Sequence, residues 1–295
     1  MKHIFIIGGT TFDYIITLPE FPKPIPQTIH QANFKETTGS TGSGKSLCLT
    51  KLDVPNTLYS ILGNDQYGHQ IIQHLKDEQV DFIYDFDPKG TERHINIMNE
   101  LGNRISIFIT QSSEFPEMNF NKIEEAIQKT DLIVLNIISY CKQIIPLVKK
   151  HKKPVWTDLH DYNDGNPYHE PFIEIADYIF LSSDNLTDYR QTMQNLMQRG
   201  KELVVCTHGS QGATALKKNG EWVEQQALTN FKLVDANGAG DNFFSGFLYA
   251  FLNHQPLETS MKYGTLTAAY CITSPKLVYD KLTSSFLEDQ FLKLF

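Results

Sequence analysis

The sequence predicts an α/β fold with a mainly parallel sheet that is covered by helices on both faces. The first observation is an alternation of short β-rich runs with longer segments of helical spacing. The β-rich runs comprise residues 3–7, 57–62, 132–138, 154–159, 178–181 and 203–207. The helix-length segments between them include residues 67–78, 122–129 and 186–199. Such alternation is typical of βαβ units, which build a parallel sheet buried on both faces.

Two segments interrupt this alternation and predict a smaller, separate sheet. Residues from about 12 to 38 are rich in proline and extended, while residues 92–110 contain two strand-like runs around the turn Glu100-Leu101-Gly102-Asn103. Strands without helices between them indicate a small sheet, which we interpret as a lid over the site. No repeat or low-complexity linker divides the chain. We therefore predict one domain over residues 1–295, with a lid from 12–38 and 92–110.

Composition and charge argue against several classes of protein. Hydrophobic residues make up 41% and charged residues 20% of the 295 residues, as in ordinary globular enzymes. The 26 basic residues face 34 acidic ones and form no stripe, which disfavours a nucleic-acid surface. No run approaches the roughly 20 apolar residues that span a bilayer, so we expect no membrane partner. The apolar run before Gly8 is interpreted as a core strand and not as a signal peptide.

The four cysteines indicate the compartment. Cys48, Cys141, Cys206 and Cys271 are widely spaced and form no CxxC pair. Neither a zinc site nor a disulfide framework is therefore predicted, and a reducing cytoplasm is the expected location.

The segment with the clearest chemical meaning is Asn237-Gly238-Ala239-Gly240-Asp241. Its two glycines let the backbone turn tightly with exposed N–H groups, and residues 243–252 after it have helical spacing. A helix N-terminus with free N–H donors forms an anion hole, and Asp241 at its opening could accept a proton from a hydroxyl. A plain turn in which Asp241 only caps the helix would use the same residues.

Five segments in order resemble the ribokinase-like (PfkB) carbohydrate kinase family. The family signature D-x-x-G-A-G-D-x-F matches residues 235–243 at every fixed position. The other four segments are residues 8–13, which place Asp13 after the first strand, 63–68, 102–104 and 206–212. The resemblance extends over nearly the whole chain. It implies a ribokinase-like fold and ATP-dependent phosphorylation of a hydroxyl on a sugar or sugar derivative.

The resemblance also implies the roles of individual residues. Asp241 would be the general base, and the backbone of Gly238, Ala239 and Gly240 would form the anion hole. The side of the small-molecule substrate would comprise Asp13, Gly39, Gly42, Gly44, Lys45 and Arg104. The nucleotide side would comprise Asp184, Thr207, Gly209, Gly212, Asn237, Thr265 and Ala268. Mg²⁺ would accompany ATP near Asp184, Asp235 would bind a monovalent cation such as K⁺, and two chains would dimerise through the lid.

The segment 39–44 departs from the family pattern G-G-x-G-x-N, because Gly44 stands where the family has an amide that grips the sugar. The acceptor therefore stays open: a nucleoside or vitamin-precursor kinase and a non-catalytic sugar-binding descendant are the alternatives. Asp158 ends a predicted strand and resembles an aspartate of the family, although it could equally cap a turn.

Residues 39–46 also satisfy the Walker A pattern G-x-x-x-x-G-K-[ST], which would place Lys45 on nucleotide phosphates. The polar residues 31–38 before this loop disfavour a P-loop, which needs a buried strand there. In the kinase interpretation, Lys45 would point to solvent or touch an anionic group of the acceptor.

Overall fold

The structure, a computed structural model, describes residues 2–100 and 102–295 and contains two sheets. The strands are β1 (Ile4–Ile7), β2 (Thr11–Leu18), β3 (Asn33–Gly39), β4 (Asn56–Leu62), β5 (Asp81–Phe86), β6 (Arg93–Asn99), β7 (Arg104–Thr110), β8 (Leu132–Leu135), β9 (Val155–Asp158), β10 (Tyr178–Ser182), β11 (Leu203–Thr207), β12 (Ala213–Lys217) and β13 (Trp222–Gln225). The helices are α1 (Thr41–Lys51), α2 (Gln66–Asp77), α3 (Phe120–Lys129), α4 (Ile145–His151), α5 (Glu170–Ile175), α6 (Tyr189–Gln198), α7 (Ala239–Leu252), α8 (Leu257–Cys271) and α9 (Ser284–Leu294). None of these helices is long and apolar enough to cross a membrane.

The larger sheet has nine strands in the order β13-β12-β11-β10-β9-β8-β1-β4-β5. Its pairs are parallel from β5 to β11, and only β12 and β13 join in antiparallel register. Side chains of β1 alternate between two hydrophobic clusters, with Ile4 and Ile6 in one and Phe5 and Ile7 in the other. Successive side chains of a strand point to opposite faces, so the sheet is buried on both sides. The predicted α/β fold class is confirmed.

Some boundaries differ from the sequence prediction. Strand β8 ends at Leu135 and not at 138, because the chain turns into a 3₁₀ helix over Ser139–Ile144. Helix α6 begins at Tyr189 and not at 186, because the Asp188 side chain accepts a hydrogen bond from the Gln191 amide and caps the helix there. The antiparallel strands β12 and β13 were not predicted.

The smaller sheet has four strands in the order β3-β2-β6-β7. All four begin within one residue of the two predicted lid segments or inside them. Leu101, in the turn predicted between β6 and β7, lies outside the described residues. Strand β3 leads into helix α1 through Ser40, whose φ of 76° turns the chain sharply out of the sheet. The small sheet therefore connects directly to the helix that carries Gly42, Gly44 and Lys45.

Candidate active site

The N-terminal turns of α1 and α7 meet at the candidate site. A Cβ atom added at Gly44 in α1 would lie 2.9 Å from Oδ2 of Asp241 in α7. A side chain at position 44 would displace this carboxylate. Gly42 is equally confined, since its Cβ would lie 2.5 Å from the carbonyl oxygen of Gly9. Gly44, which stands where the family has an amide, therefore allows α1 and α7 to approach each other closely.

Lys45 lies fully buried between two carboxylates. Its Nζ donates to Asp241 Oδ1 at 2.5 Å, to Asp158 Oδ2 at 3.0 Å and to Thr41 Oγ1 at 2.6 Å. The side chain is 0% exposed, while those of Asp158 and Asp241 are 10% and 13% exposed. The expectation that Lys45 points to solvent is wrong, because its ammonium is enclosed by protein carboxylates. Lys45 contacts the predicted base Asp241, and its predicted contact with an acceptor stays a prediction.

The charges of this cluster stabilise one another. Burial lowers the pKa of Lys45, but the charges of Asp158 and Asp241 outweigh this effect, so the pKa of Lys45 is raised. Burial likewise opposes ionisation of Asp158, yet the charges of His160 and Lys45 and their hydrogen bonds hold the pKa of Asp158 well below its usual range. Two carboxylates thus share one buried ammonium close to the N-terminal turns of α1 and α7.

Polar groups around Lys45 fix its position further. Thr41, which accepts from Lys45, donates to the side-chain oxygen of Asn136 at 3.0 Å. Ser245 donates to the backbone carbonyl of Asp241 at 2.7 Å and lies 3.3 Å from that of Lys45. The aromatic ring of Phe244 lies 5.0 Å from Nζ of Lys45. Asp158, Lys45 and Asp241 therefore belong to one hydrogen-bonded network, although they occur in three separate sequence motifs.

The predicted anion hole has the geometry of an open helix N-terminus. Gly238 precedes α7 with φ 79°, and among the described residues no side chain caps this end. Asn242 holds the turn, because its amide donates to the carbonyl groups of Gly238 at 2.8 Å and Leu277 at 2.9 Å. A Cβ at Gly240 would meet no described atom within 4 Å, so the space in front of this residue is open to a ligand.

Substituting the two glycines of this loop is expected to separate binding from folding. Gly240→Val should lower kcat/KM by more than about 10²-fold with little change in melting temperature, because the new side chain fills open space that a phosphate would use. Gly238→Val should cost about 1–3 kcal/mol of folding stability, since φ is positive and its Cβ would lie 2.7 Å from the Leu277 carbonyl oxygen. Kinetics and thermal unfolding measured side by side test this contrast. Equal losses of activity and stability in Gly240→Val would instead assign that residue to a structural turn.

Asp13 lies on β2, and one oxygen atom of its carboxylate makes no hydrogen bond within the described structure. Its Oδ1 is buried without a hydrogen-bond partner among the described residues and lies 3.6 Å from Nδ1 of His94, while its Oδ2 accepts from Asn96 at 3.2 Å. The Thr11 hydroxyl beside it is also buried and unpartnered in the described structure. A Cβ at Gly39 would collide with the Asp13 carboxylate, so Gly39 makes room for it. Thr11 and Asn96 are site candidates that the sequence analysis missed.

Two residues of the smaller sheet contact the loop that precedes α7. Arg104 of β7 donates to the side-chain oxygen of Asn237 at 2.8 Å, which brings together residues predicted on the acceptor and nucleotide sides. Lys35 of β3 donates to Oδ2 of Asp235 at 2.7 Å and to the carbonyl of Pro275. The surroundings of Asp235 do not fit the predicted monovalent cation, because an ammonium already holds its carboxylate.

Apart from Asn237 in the loop before α7, the predicted nucleotide residues lie in three regions of the chain. Thr207 ends β11, and Gly209 and Gly212 form the following turn with φ values of 55° and 105°. Asp184 is exposed on the loop after β10, and its charge acts on His208. Thr265 and Ala268 lie within α8, where the Thr265 hydroxyl is buried without a described partner. Their roles in nucleotide binding stay predictions.

Comparison with known proteins identifies the family. The sequence pattern described as pfkB family carbohydrate kinase matches residues 1–283. The chain is 29% identical over 280 residues to acarbose 7(IV)-phosphotransferase of Actinoplanes sp., with 92% of each chain covered. It is 23% identical over 291 residues to a nucleoside kinase of Methanocaldococcus jannaschii, with 92% of this chain and 91% of that protein covered.

A solved structure shares the fold over the whole chain. A microbiome-derived acarbose kinase superposes with a TM-score of 0.89 at 22% identity, covering 99% of each chain. The family match extends over nearly all of the sequence, and its signature coincides with the helix N-terminus that carries Asp241. This chain therefore belongs to the pfkB family of carbohydrate kinases.

Proposed function

We propose that this ATP-dependent kinase phosphorylates a sugar hydroxyl that is held between Asp13 and Asp241. One observation carries the proposal: the carboxylate of Asp241 stands at the uncapped N-terminus of α7, beside the open space at Gly240. A base and an anion hole in one helical turn suit phosphoryl transfer, in which a proton leaves the acceptor while charge develops on the phosphoryl group.

Asp241 would accept the proton of the acceptor hydroxyl. The acceptor oxygen then forms a bond to the γ-phosphorus, the bond from that phosphorus to the β–γ bridging oxygen breaks, and ADP leaves. When Asp241 becomes neutral, Asp158 still compensates the buried Lys45 ammonium, since Lys45 contacts both carboxylates. The second carboxylate thus allows the base to change its charge without leaving a buried cation unpaired.

Asp184 is the residue that would hold Mg²⁺ through water beside the nucleotide. Its exposed carboxylate follows a strand of the main sheet, and carboxylate oxygens are ligands that Mg²⁺ prefers. Bound Mg²⁺ would neutralise charge on the β- and γ-phosphates. The turn after Thr207 is exposed from Gly209 to Gln211, and together with the unpartnered Thr265 hydroxyl it supports the assignment of the nucleotide to that side.

Acceptor binding is expected to depend on the ionisation of Asp13. Burial raises the pKa of Asp13 above its ordinary value, against the charges of His94 and Arg104. The ionised carboxylate accepts hydrogen bonds from hydroxyls, so the acceptor KM should rise as pH falls toward this raised pKa. Asp13→Asn should raise KM by about 10–100-fold near neutral pH and remove this pH dependence. A KM profile that stays parallel in the variant and the wild-type protein would contradict the role of Asp13.

The acceptor is best sought by a screen of substrate-dependent ADP release. Acarbose is the first compound to test, because one relative is an acarbose 7(IV)-phosphotransferase and one structural neighbour is an acarbose kinase. Nucleosides are the second class, since the His94 ring lies 3.9 Å from that of Phe108 beside Asp13 and could stack on a base. Sugars, sugar acids and sugar phosphates complete the screen. A protein that binds ATP but releases ADP with none of these compounds would contradict the proposed activity.

We also propose that two chains dimerise through the smaller sheet. Its edge strand β7 exposes Ile105, Ile107, Phe108 and Ile109 by 44–53%. An unpaired edge with apolar side chains favours association with a second copy. Light scattering after gel filtration should show a dimer, and Ile107→Lys should shift it toward a monomer. A monomeric wild-type protein would rule this out.

The need for ATP and the four free, buried cysteines support the predicted cytoplasmic location.

A further inference from the structure

The structure places a lysine of the smaller sheet on the carboxylate of Asp235, which was predicted to bind a monovalent cation. Lys35 of β3 donates to the Asp235 carboxylate at 2.7 Å and to the Pro275 carbonyl. Asp235 is only 9% exposed, so its charge needs a cationic partner. We infer that the Lys35 ammonium is a built-in substitute for K⁺ and that this kinase turns over without an added monovalent cation.

The ammonium joins two loops of the larger part of the structure. Asp235 belongs to the loop before α7, and Pro275 belongs to the loop after α8. The Cys271 thiol contacts the carbonyl groups of Asn237 and Leu277 at 3.5 Å, so the loops are adjacent along several residues. A lysine ammonium is a compact single charge with three donors, and two of them are used here on a carboxylate and a carbonyl oxygen. Lys35 therefore supplies both the charge and the crosslink.

A short chain of contacts connects Lys35 to the anion hole. Asp235 accepts from Lys35 through Oδ2 and from the Asn237 amide through Oδ1 at 2.8 Å. The next residue, Gly238, is the N-cap of α7. Neutralising Asp235 thus stabilises the turn that aims the first amides of α7 at the phosphoryl group. Lys35 is a positioning residue in this proposal, since it acts through Asp235.

The charge comes from the lid and not from the loop itself. Lys35 lies 200 residues before Asp235 and reaches it from the edge strand of the smaller sheet. A cation from solvent could reach the Asp235 carboxylate wherever the smaller sheet lies. The Lys35 ammonium reaches it only when the smaller sheet lies against the loop before α7. Placement of the lid and alignment of the anion hole are therefore coupled.

The inference rests on the proposed kinase activity and is tested by chemical rescue. Wild-type kcat/KM should agree within about twofold between KCl and choline chloride at equal ionic strength. The kcat/KM of Lys35→Ala should be about 10–100-fold below that of the wild-type protein in choline chloride, and adding K⁺ or NH₄⁺ should raise it about tenfold. A cavity of about 510 Å³ borders Lys35 and Pro275 and gives small cations access to the vacated position. Lys35→Thr, which suits a strand, replaces the alanine variant if that variant does not fold.

Two further variants make the test specific. Lys35→Met fills the space without charge, so it should lose activity that K⁺ does not restore. Lys276→Ala removes a nearby lysine that pairs with Asp280 and not with Asp235, and its activity should stay insensitive to K⁺. The melting temperature gives a readout independent of turnover: KCl should raise that of Lys35→Ala relative to choline chloride, and should leave that of Lys35→Met unchanged.

The possible results are readily distinguished. Strong K⁺ activation of the wild-type enzyme would overturn the inference, and so would full activity of Lys35→Ala in choline chloride. If the wild-type protein shows no kinase turnover with any acceptor, the proposed function fails. The melting temperatures of the same variants would then still show whether K⁺ replaces the lysine.

Discussion

Asp241→Asn is expected to lower kcat by about 10²–10⁴-fold while leaving the Kd for ATP nearly unchanged. The amide cannot accept the acceptor proton, but the backbone groups of Gly238 and Gly240 stay in place. Lys45 keeps Asp158 as a partner, so the loss of stability should be limited to about 1.5–3 kcal/mol, the value of one charged hydrogen bond. Turnover by ADP release, with the acceptor found in the screen, and titration calorimetry with ATP measure the two effects.

Asp289→Asn is the matched control for this variant. Asp289 lies exposed on α9, away from the cluster, and the same chemical change there should alter neither kcat nor Kd. Near-wild-type turnover of a folded Asp241→Asn protein would remove Asp241 from the role of base. A large loss of ATP affinity would mean that its carboxylate acts on the nucleotide.

Lys45→Met is expected to be the most destabilising single change in the site. It leaves Asp158 and Asp241 facing each other without their shared cation, and removing one partner of a buried pair costs about 3–5 kcal/mol. Activity should fall as well, because the Asp241 carboxylate loses the contact that holds it beside Gly240. Chemical denaturation gives the free energy of unfolding, and kinetics of the folded fraction give kcat.

Lys51→Met on the same helix is the control, since its pair with Glu78 at 2.9 Å is partly exposed and should be worth at most about 1 kcal/mol. A double-mutant cycle of Lys45→Met with Asp241→Asn should show strong non-additivity, because the two residues interact directly. Additive losses would mean that Lys45 stabilises the protein through Asp158 alone. Loss of ATP binding in folded Lys45→Met would instead mean that Lys45 acts on the nucleotide.

Local patterns in the sequence were sufficient to predict the fold class and the position of Asp241 at a helix N-terminus. Alternating strand and helix patterns reflect burial on each element, and the glycine-rich turn before α7 is a local backbone requirement, so both are visible without tertiary information. The hairpin of β12 and β13 escaped prediction because its strands are short and contain alanine and charged residues with weak strand preference.

Contacts between distant segments could not be predicted in this way. Lys45 meets Asp158 and Asp241 across 113 and 196 residues, and no local pattern distinguishes a buried, doubly paired lysine from one on phosphate or in solvent. The same holds for Lys35, whose polar strand indicates a solvated lid although its ammonium reaches a buried carboxylate. Burial of a charge depends on its partner, and the partner is supplied by the topology.

The wide sequence separation within the Lys45 cluster also constrains the order in which the chain can mature on the ribosome. A nascent chain that ends before residue 241 contains Lys45 and Asp158 but lacks the helix that packs on α1 and provides the second carboxylate. Contacts of such long range form late, and partly folded chains keep apolar surface exposed until then. The N-terminal half of this kinase can therefore pair the buried Lys45 ammonium with both carboxylates only after its C-terminal helices have been made, and the candidate active site is complete only when the fold is complete.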